Sequence, residues 1–220
     1  KVLSSKLFKN GNISIQSPSA AAIVDCLAIK RGDIVLDVCA APGTKTLQLA
    51  NLVGVNGFVY ASDLSPSRVS LGQKDEQRHR KKNIKWSLKD ARKDSYFTAD
   101  KILIDAPCSG TGVIGRKTDI RWRRKEGDLK KFANLQLDIL NNCSNYLKKD
   151  GVLVYATCSI EPEENLMVVD KFLKLKTNFV IDKIPNNVPR QWVKDNKSLH
   201  VLPHEHSLDG IFAIRMKKIF

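Results

Sequence analysis

At 220 residues and 42% hydrophobic, the chain can bury most of its unfolded surface around one core, so one globular unit is expected and two full domains are a tight fit. Its 37 Lys and Arg against 23 Asp and Glu leave a net charge of +14, which favours a nucleic-acid partner over an acidic metabolite. No apolar run approaches the roughly 20 residues that span a bilayer, no leader pattern opens the chain, and five cysteines without a dense framework suit a reduced compartment, so a cytoplasmic monomer without membrane contact is expected.

In chain order, turn residues at 10–12 precede an apolar face of Ala22, Ile23, Cys26, Leu27 and Ile29, which predicts a helix from Pro18 to Ile29. Short apolar runs at Ile34 to Val38, Phe58 to Ala61, Ile84 to Leu88, Lys101 to Ile104 and Val152 to Tyr155 predict buried strands. Helical patterns alternate with them at Thr44 to Val53, Pro66 to Arg80, Asp128 to Leu147 and Glu163 to Lys174. That alternation calls for a parallel sheet with helices on both faces. In the tail, Phe179 to Ile184 and Gly210 to Lys217 read as an antiparallel pair at the sheet edge, with residues 185–198 as a surface loop. The expected division is a lead-in over residues 1–30 packed on a catalytic domain over 31–220.

Directly after the first sheet strand comes Cys39-Ala40-Ala41-Pro42-Gly43-Thr44-Lys45, small residues turning the chain into a helix. Such a turn brings backbone N–H groups to a ligand at the carboxyl ends of the strands. The spacings of a phosphate-binding loop and of a dinucleotide fingerprint are both absent. Three acids fall at the same rim: Asp63 ends the second strand, Asp90 lies beyond the third and Asp105 ends the fourth. A carboxylate at Asp63 can accept both ribose hydroxyls and one at Asp90 an adenine amino proton, while Asp37 can support the loop. Each acid alone is most simply a turn or helix cap, but their joint placement points to a nucleoside ligand.

Three cysteines share that rim, Cys39, Cys108 and Cys158, whereas Cys26 and Cys143 fall in helical patterns and read as core. Close-spaced ligand pairs are missing, so no metal is expected. A rim thiolate suits methylation of a pyrimidine, because carbon 5 of cytosine is too weak a nucleophile until a thiolate adds to carbon 6. The free thiol is only a few per cent ionised at neutral pH, so the site must help, and Lys45 can supply positive potential.

Four motifs in order carry a resemblance: Leu36-Asp37-Val38-Cys39-Ala40-Ala41-Pro42-Gly43-Thr44-Lys45, Asp105-Ala106-Pro107-Cys108-Ser109-Gly110-Thr111-Gly112, Tyr155-Ala156-Thr157-Cys158-Ser159 and Glu161-Pro162-Glu163-Glu164-Asn165. Together they resemble the RNA cytosine-5 methyltransferases of the NOL1/NOP2/Sun family. Gly112-Val113-Ile114, Asp119-Ile120-Arg121-Trp122, Leu202-Pro203 and Asp209-Gly210-Ile211-Phe212 bring the chain nearest to the branch acting on bacterial small-subunit ribosomal RNA. The resemblance implies an α/β, Rossmann-like class I S-adenosylmethionine-dependent methyltransferase, with a seven-stranded, mostly parallel sheet and an antiparallel edge strand. It implies Cys158 as the nucleophile and Cys108 as the group that assists release. Cys39 to Lys45, Asp63, Arg68, Asp90 and Asp105 would bind S-adenosylmethionine, and Asp105 and Lys45 would also face the cytosine. The family's loop usually has a second glycine where Thr44 stands, and its members carry a helical RNA-binding domain and a small linking domain upstream, expected to lie outside this sequence.

The rival readings are a transfer-RNA cytosine-5 methyltransferase of the same family, an exocyclic-amine methyltransferase and a noncatalytic RNA-binding module. The aromatic that ends the exocyclic-amine turn is missing after Asp105-Ala106-Pro107, and the rim acids and cysteines needed for catalysis are all present. Basic residues gather at Lys74 to Lys93 and at Arg116 to Lys131. In the second cluster Arg121, Trp122, Arg123 and Arg124 can grip phosphates and stack a base. A solvated loop and helix face is the alternative account of both clusters, nearly as strong for Lys74 to Lys93 and weaker than RNA contact for Arg116 to Lys131.

Overall fold

The computed structural model describes residues 2–220. Its strands are β1 (Ile34–Val38), β2 (Phe58–Asp63), β3 (Ile84–Leu88), β4 (Ala99–Asp105), β5 (Leu147–Thr157), β6 (Phe179–Ile181), β7 (Val193–Lys194), β8 (Ser198–Val201) and β9 (Ile211–Lys218). The helices are α1 (Lys6–Lys9), α2 (Pro18–Asp25), α3 (Thr44–Val53), α4 (Pro66–Arg78), α5 (Ile120–Arg123), α6 (Glu126–Cys143), α7 (Leu166–Leu175) and α8 (Pro203–His206). The strands form one sheet in the order β3-β2-β1-β4-β5-β9-β8-β7, with β6 also paired to β9. The pairs β1–β2, β2–β3, β1–β4 and β4–β5 are parallel, as the alternating pattern requires.

The side-chain alternation of β1 shows why the central strands read as unbroken apolar runs. Val35 joins one core with Ile23 of α2 and Leu47, Leu49, Ala50 and Val53 of α3. Leu36 and Val38 join the other, with Ile139 and Leu140 of α6 and Val168, Val169 and Phe172 of α7. Both faces are covered, so neither needs polar residues.

Among the described residues the sheet holds nine strands where seven were expected. The expected antiparallel pair forms as β6 and β9, with Phe179 opposite Lys218 and Ile181 opposite Met216. The earlier half of β9 takes β8 instead, from Val201 opposite Ile211 to Ser198 opposite Ile214. The two additional strands, β7 and β8, are only two and four residues long, and their pairing is dictated by β9 rather than by a pattern of their own. Helix α6 ends at Cys143 rather than Leu147, because Leu147 opens β5 opposite Ala99. No helix among the described residues is long and apolar enough to cross a membrane.

What positions the site is the reversal of strand order at β1 and β4. The chain leaves β1 toward β2 and leaves β4 toward β5, so the loops after these neighbouring strands diverge and open a crevice at their carboxyl ends.

Candidate active site

The loop after β1 is held in place by its neighbours on β2. Cys39 and Gly43 both turn through the left-handed region, at φ 61° and 107°. Glycine is needed at position 43, where a Cβ would stand 2.9 Å from the ring of Trp86. The Ala40 N–H donates to Ser62 O at 2.8 Å. Asp63, nearly buried at 5% exposure, accepts from Ala41 N at 3.2 Å and from Ser65 N at 3.0 Å. Arg68 reaches back to the same place, its Nη1 3.5 Å from Asp63 Oδ2 and its Nη2 donating to Ala41 O. Behind the loop, Asp37 is buried, and burial raises its pKa to about 7 against the hydrogen bond it accepts from Thr46 Oγ1 at 2.6 Å.

A pocket of about 200 Å³ opens beside this loop, lined by Cys39, Ser62, Asp63, Leu64, Asp90 and Pro107 among others. It brings together Asp63 and Asp90, two of the three rim acids. Asp90 is already engaged: Arg92 Nε donates to its Oδ1 at 2.9 Å and Arg92 Nη2 to its Oδ2 at 2.6 Å, which holds its pKa down at about 2. Sequence reasoning missed Arg92, although a cation two residues after an acid at a strand end is a readable signal. Thr44 and Pro42 face away, lining surface clefts shared with Ser14, so the Thr44 side chain does not narrow this pocket.

Asp105 turns to the other side of the crevice, where its Oδ2 accepts from Lys45 Nζ at 2.7 Å. Burial opposes the charge on Lys45, but the Asp105 carboxylate outweighs it and raises the lysine pKa. Near this pair stand two thiols, Cys108 on the loop after β4 and Cys158 on the loop after β5, with Sγ atoms 3.2 Å apart. The hydrogen bond toward Cys158, then burial, pushes the Cys108 thiol well up. The Cys108 hydrogen bond holds Cys158 below the ordinary thiol value, aided by Lys117 and Lys45 and opposed by burial and Asp105. The two thiols are thus shifted in opposite directions, Cys158 down and Cys108 up, across a contact in which either sulfur can donate. Cys39 is different, a half-buried thiol on the pocket wall whose pKa is raised by desolvation first and then by the nearby acids. Cys26 and Cys143 are core residues, each pushed to about 12 by burial.

The loops that carry the two thiols touch through backbone. Gly112 N donates to Cys158 O at 3.0 Å, and Gly210 N to Gly112 O at 2.7 Å. The four residues read as RNA contacts divide. Trp122 is 88% exposed, Arg121 is exposed, and Arg123 pairs with Asp119 at 3.2 Å on the same surface turn. Arg124 is exposed as well, but it packs over the Phe132 ring and its Nε donates to Ser109 O at 2.7 Å.

Residues 24–217 match the family described as 16S rRNA methyltransferase RsmB/F. The chain belongs to the RsmB/F family. Among its relatives is the probable ribosomal RNA small subunit methyltransferase B of Bacillus subtilis, 37% identical over 96% of this chain and 49% of that protein. The Escherichia coli ribosomal RNA small subunit methyltransferase B is 36% identical over 96% of this chain and 48% of its own length. This RsmB/F chain thus spans about half the length of the curated relatives it matches. The crystal structure of NSun6 from Pyrococcus horikoshii, solved with the S-adenosylmethionine analogue SFG, superposes with a TM-score of 0.88 at 28% identity over 100% of this chain and 56% of that one. The Rossmann-like methyltransferase fold expected from the sequence is the fold observed.

Proposed function

We propose that this chain methylates carbon 5 of a cytosine in RNA, with small-subunit ribosomal RNA as the substrate class. The observation that carries the reading is the sulfur pair: Cys158, on the thiolate side, sits 3.2 Å from a Cys108 thiol at the rim shared by the cofactor loop. The names of the RsmB/F relatives support the RNA class.

The pocket beside the loop fits S-adenosylmethionine. Its walls offer Leu64, Pro107, Leu135 and Ile139 to a purine, and its floor offers the Asp63 carboxylate to ribose hydroxyls. Asp90 would receive the adenine amino group by sharing acceptors now held by Arg92. Residues Cys39, Ala40, Ala41, Pro42, Gly43, Thr44 and Lys45 form the turn around the methionine end, and Arg68 ties that turn to Asp63. Bound there, S-adenosylmethionine supplies the electrophilic methyl group.

The chain's own residues do the rest. The Cys158 thiolate forms a bond to carbon 6, and the electron pair of the carbon 5–carbon 6 double bond moves to carbon 5, which becomes the nucleophile. Carbon 5 then takes the methyl group, and Cys108, no longer hydrogen-bonded to an anion, gives its own proton to solvent and takes the proton from carbon 5. The released pair rebuilds the double bond, the sulfur–carbon 6 bond breaks, and the Cys158 thiolate returns. Asp105, held by Lys45, orients the base. Residues 31–220 act as the catalytic unit and residues 1–30 as a lead-in, which Arg78 grips through Phe8 O and through Ile13 O at 3.2 Å.

Bisulfite mapping of small-subunit ribosomal RNA from cells with and without this gene tests the reading. One methylcytosine lost on deletion, and restored by the intact gene, is expected. An unchanged map, with a methylcytosine lost from transfer RNA instead, would move the substrate to that class.

A further inference from the structure

The segment Glu161–Asn165, which the chemistry above leaves unused, reaches both thiol loops at once. Glu164 is fully buried, and each of its side-chain oxygens takes a donor from the loop that carries Cys108. Its Oε1 accepts from Ser109 N at 2.8 Å and from Gln136 Nε2 at 2.9 Å, and its Oε2 accepts from Ser109 Oγ. Gln136 also donates to Pro107 O at 3.0 Å, so the residues on either side of Cys108 are both held. Asn165, the next residue, does the same for the other thiol. Its Oδ1 accepts from Thr157 Oγ1 at 2.6 Å and its Nδ2 donates to Ser159 O at 2.9 Å, on either side of Cys158. The two grips meet where the Ser109 and Ser159 hydroxyls lie 3.1 Å apart. Tyr155 anchors the segment itself, donating to the Glu164 carbonyl at 2.5 Å.

We propose that Glu164 and Asn165 are positioning residues, a clamp whose two hydrogen-bonding arms fix the Cys108 and Cys158 turns so that the sulfurs stay within hydrogen-bonding reach. A buried carboxylate is retained here because no apolar side chain can satisfy Ser109 N, Ser109 Oγ and Gln136 Nε2 together. Sulfurs on two separate loops would otherwise drift by more than the few tenths of an ångström that such a bond tolerates. Release of the clamp would cost Cys158 its donor and raise it toward an ordinary thiol. The proposal rests on the reading of Cys158 as the thiolate, but its test needs neither RNA nor methyl transfer.

The experiment is the pH dependence of Cys158 alkylation by iodoacetamide in the full chain, followed peptide by peptide with mass spectrometry, for wild type, Glu164→Ala and Glu164→Gln. In the wild type Cys158 reacts ahead of Cys108, with a midpoint below that of a free thiol. In Glu164→Ala the midpoint rises by about one pH unit, a tenfold smaller thiolate fraction at neutral pH. Glu164→Gln restores the wild-type midpoint, because the amide oxygen keeps two of the acceptors' roles while the Ser109 hydroxyl turns to accept. A folded Glu164→Ala with the wild-type midpoint, or a Glu164→Gln that behaves as the alanine variant, overturns the clamp. If Glu164→Ala does not fold, Ser109→Ala decides by removing the hydroxyl link alone: a partial rise supports the clamp and no rise overturns it. A wild-type Cys158 that titrates as a free thiol sinks the thiolate reading itself, a result separate from any difference among the variants.

Discussion

Cys108 and Cys158 stand 3.2 Å apart, yet their surroundings push their thiols in opposite directions. The two sulfurs are therefore expected to differ as nucleophiles. Cys158→Ala is expected to abolish both methylation and any covalent RNA adduct, because carbon 5 never becomes nucleophilic. Cys108→Ala still permits addition and methyl transfer but stalls elimination, so methylated RNA stays attached to Cys158. Denaturing electrophoresis after incubation with S-adenosylmethionine and substrate RNA reads both outcomes. An adduct through Cys108 in the Cys158→Ala variant would exchange the roles.

Asp63 has two duties, as the pocket's acceptor and as anchor for the Ala41 and Ser65 N–H groups. Asp63→Ala should therefore weaken S-adenosylmethionine binding by about 2–4 kcal/mol, the range for losing a charged acceptor together with the turn it holds. Calorimetry without RNA measures it. Equal affinity in a folded variant would empty the pocket of its assigned role.

How much of this was readable in the sequence follows from which forces set each element. Asp63 and Asp105 fell at the carboxyl ends of β2 and β4 because buried apolar runs mark those strands without help from the rest of the chain. β7 and β8 were invisible, since a two- or four-residue strand is defined by the β9 edge it meets. The thiol pair could be placed on adjacent loops, but which sulfur ionises depends on a 3.2 Å contact that no spacing encodes. The clamp was half legible: Gln136 is a fully buried polar residue in the apolar stripe of α6, a pattern that asks for a partner without naming Glu164.

Asp37 gives the fold a pH dependence whose sign is fixed by burial. Its folded value of about 7 lies above the roughly 3.9 of an unfolded aspartate, so its contribution is fully present below about pH 4 and is lost as pH rises through 7. Asp37→Asn removes that loss and can still accept from Thr46. The variant should melt above the wild type at pH 8, by an amount on the order of 1–3 kcal/mol, and the gap should close toward pH 5. A constant gap across that range, followed by thermal melts, would show that Asp37 is ionised throughout.

Gly112, on the Cys108 loop, leaves no room for a side chain between Gly210 and the Cys158 loop. A Cβ there would come within 2.6 Å of Gly210 O and 2.9 Å of Cys158 O, both backbone atoms that cannot swing away. Gly112→Ala is expected to lose about 1–3 kcal/mol in chemical denaturation through overpacking. It should lose turnover more than S-adenosylmethionine affinity, because the strain falls on the Cys158 loop and not on Asp63. Wild-type stability with wild-type turnover would mean that the loops separate freely.

Arg124 sits in the same basic run as Arg121 and Arg123, but its hydrogen bond to Ser109 O gives it a different expected effect. Arg121 and Arg123 point to solvent beside the exposed Trp122, and Arg123 has only a surface partner in Asp119. If both contact phosphate, Arg121→Ala with Arg123→Ala should lower the salt slope of single-stranded RNA binding by about 1.4, near 0.7 for each phosphate released. Turnover at saturating RNA should hardly change. Arg124→Ala should do the reverse: it frees the carbonyl that follows Cys108 and exposes the Phe132 ring, so turnover falls while the slope stays near the wild-type value. Binding titrations at several salt concentrations, paired with turnover at saturation, separate the two. A slope that drops by about 0.7 in Arg124→Ala with turnover intact returns this arginine to the RNA face and leaves the Cys108 loop to be held without it, by Glu164 and Gln136 among others.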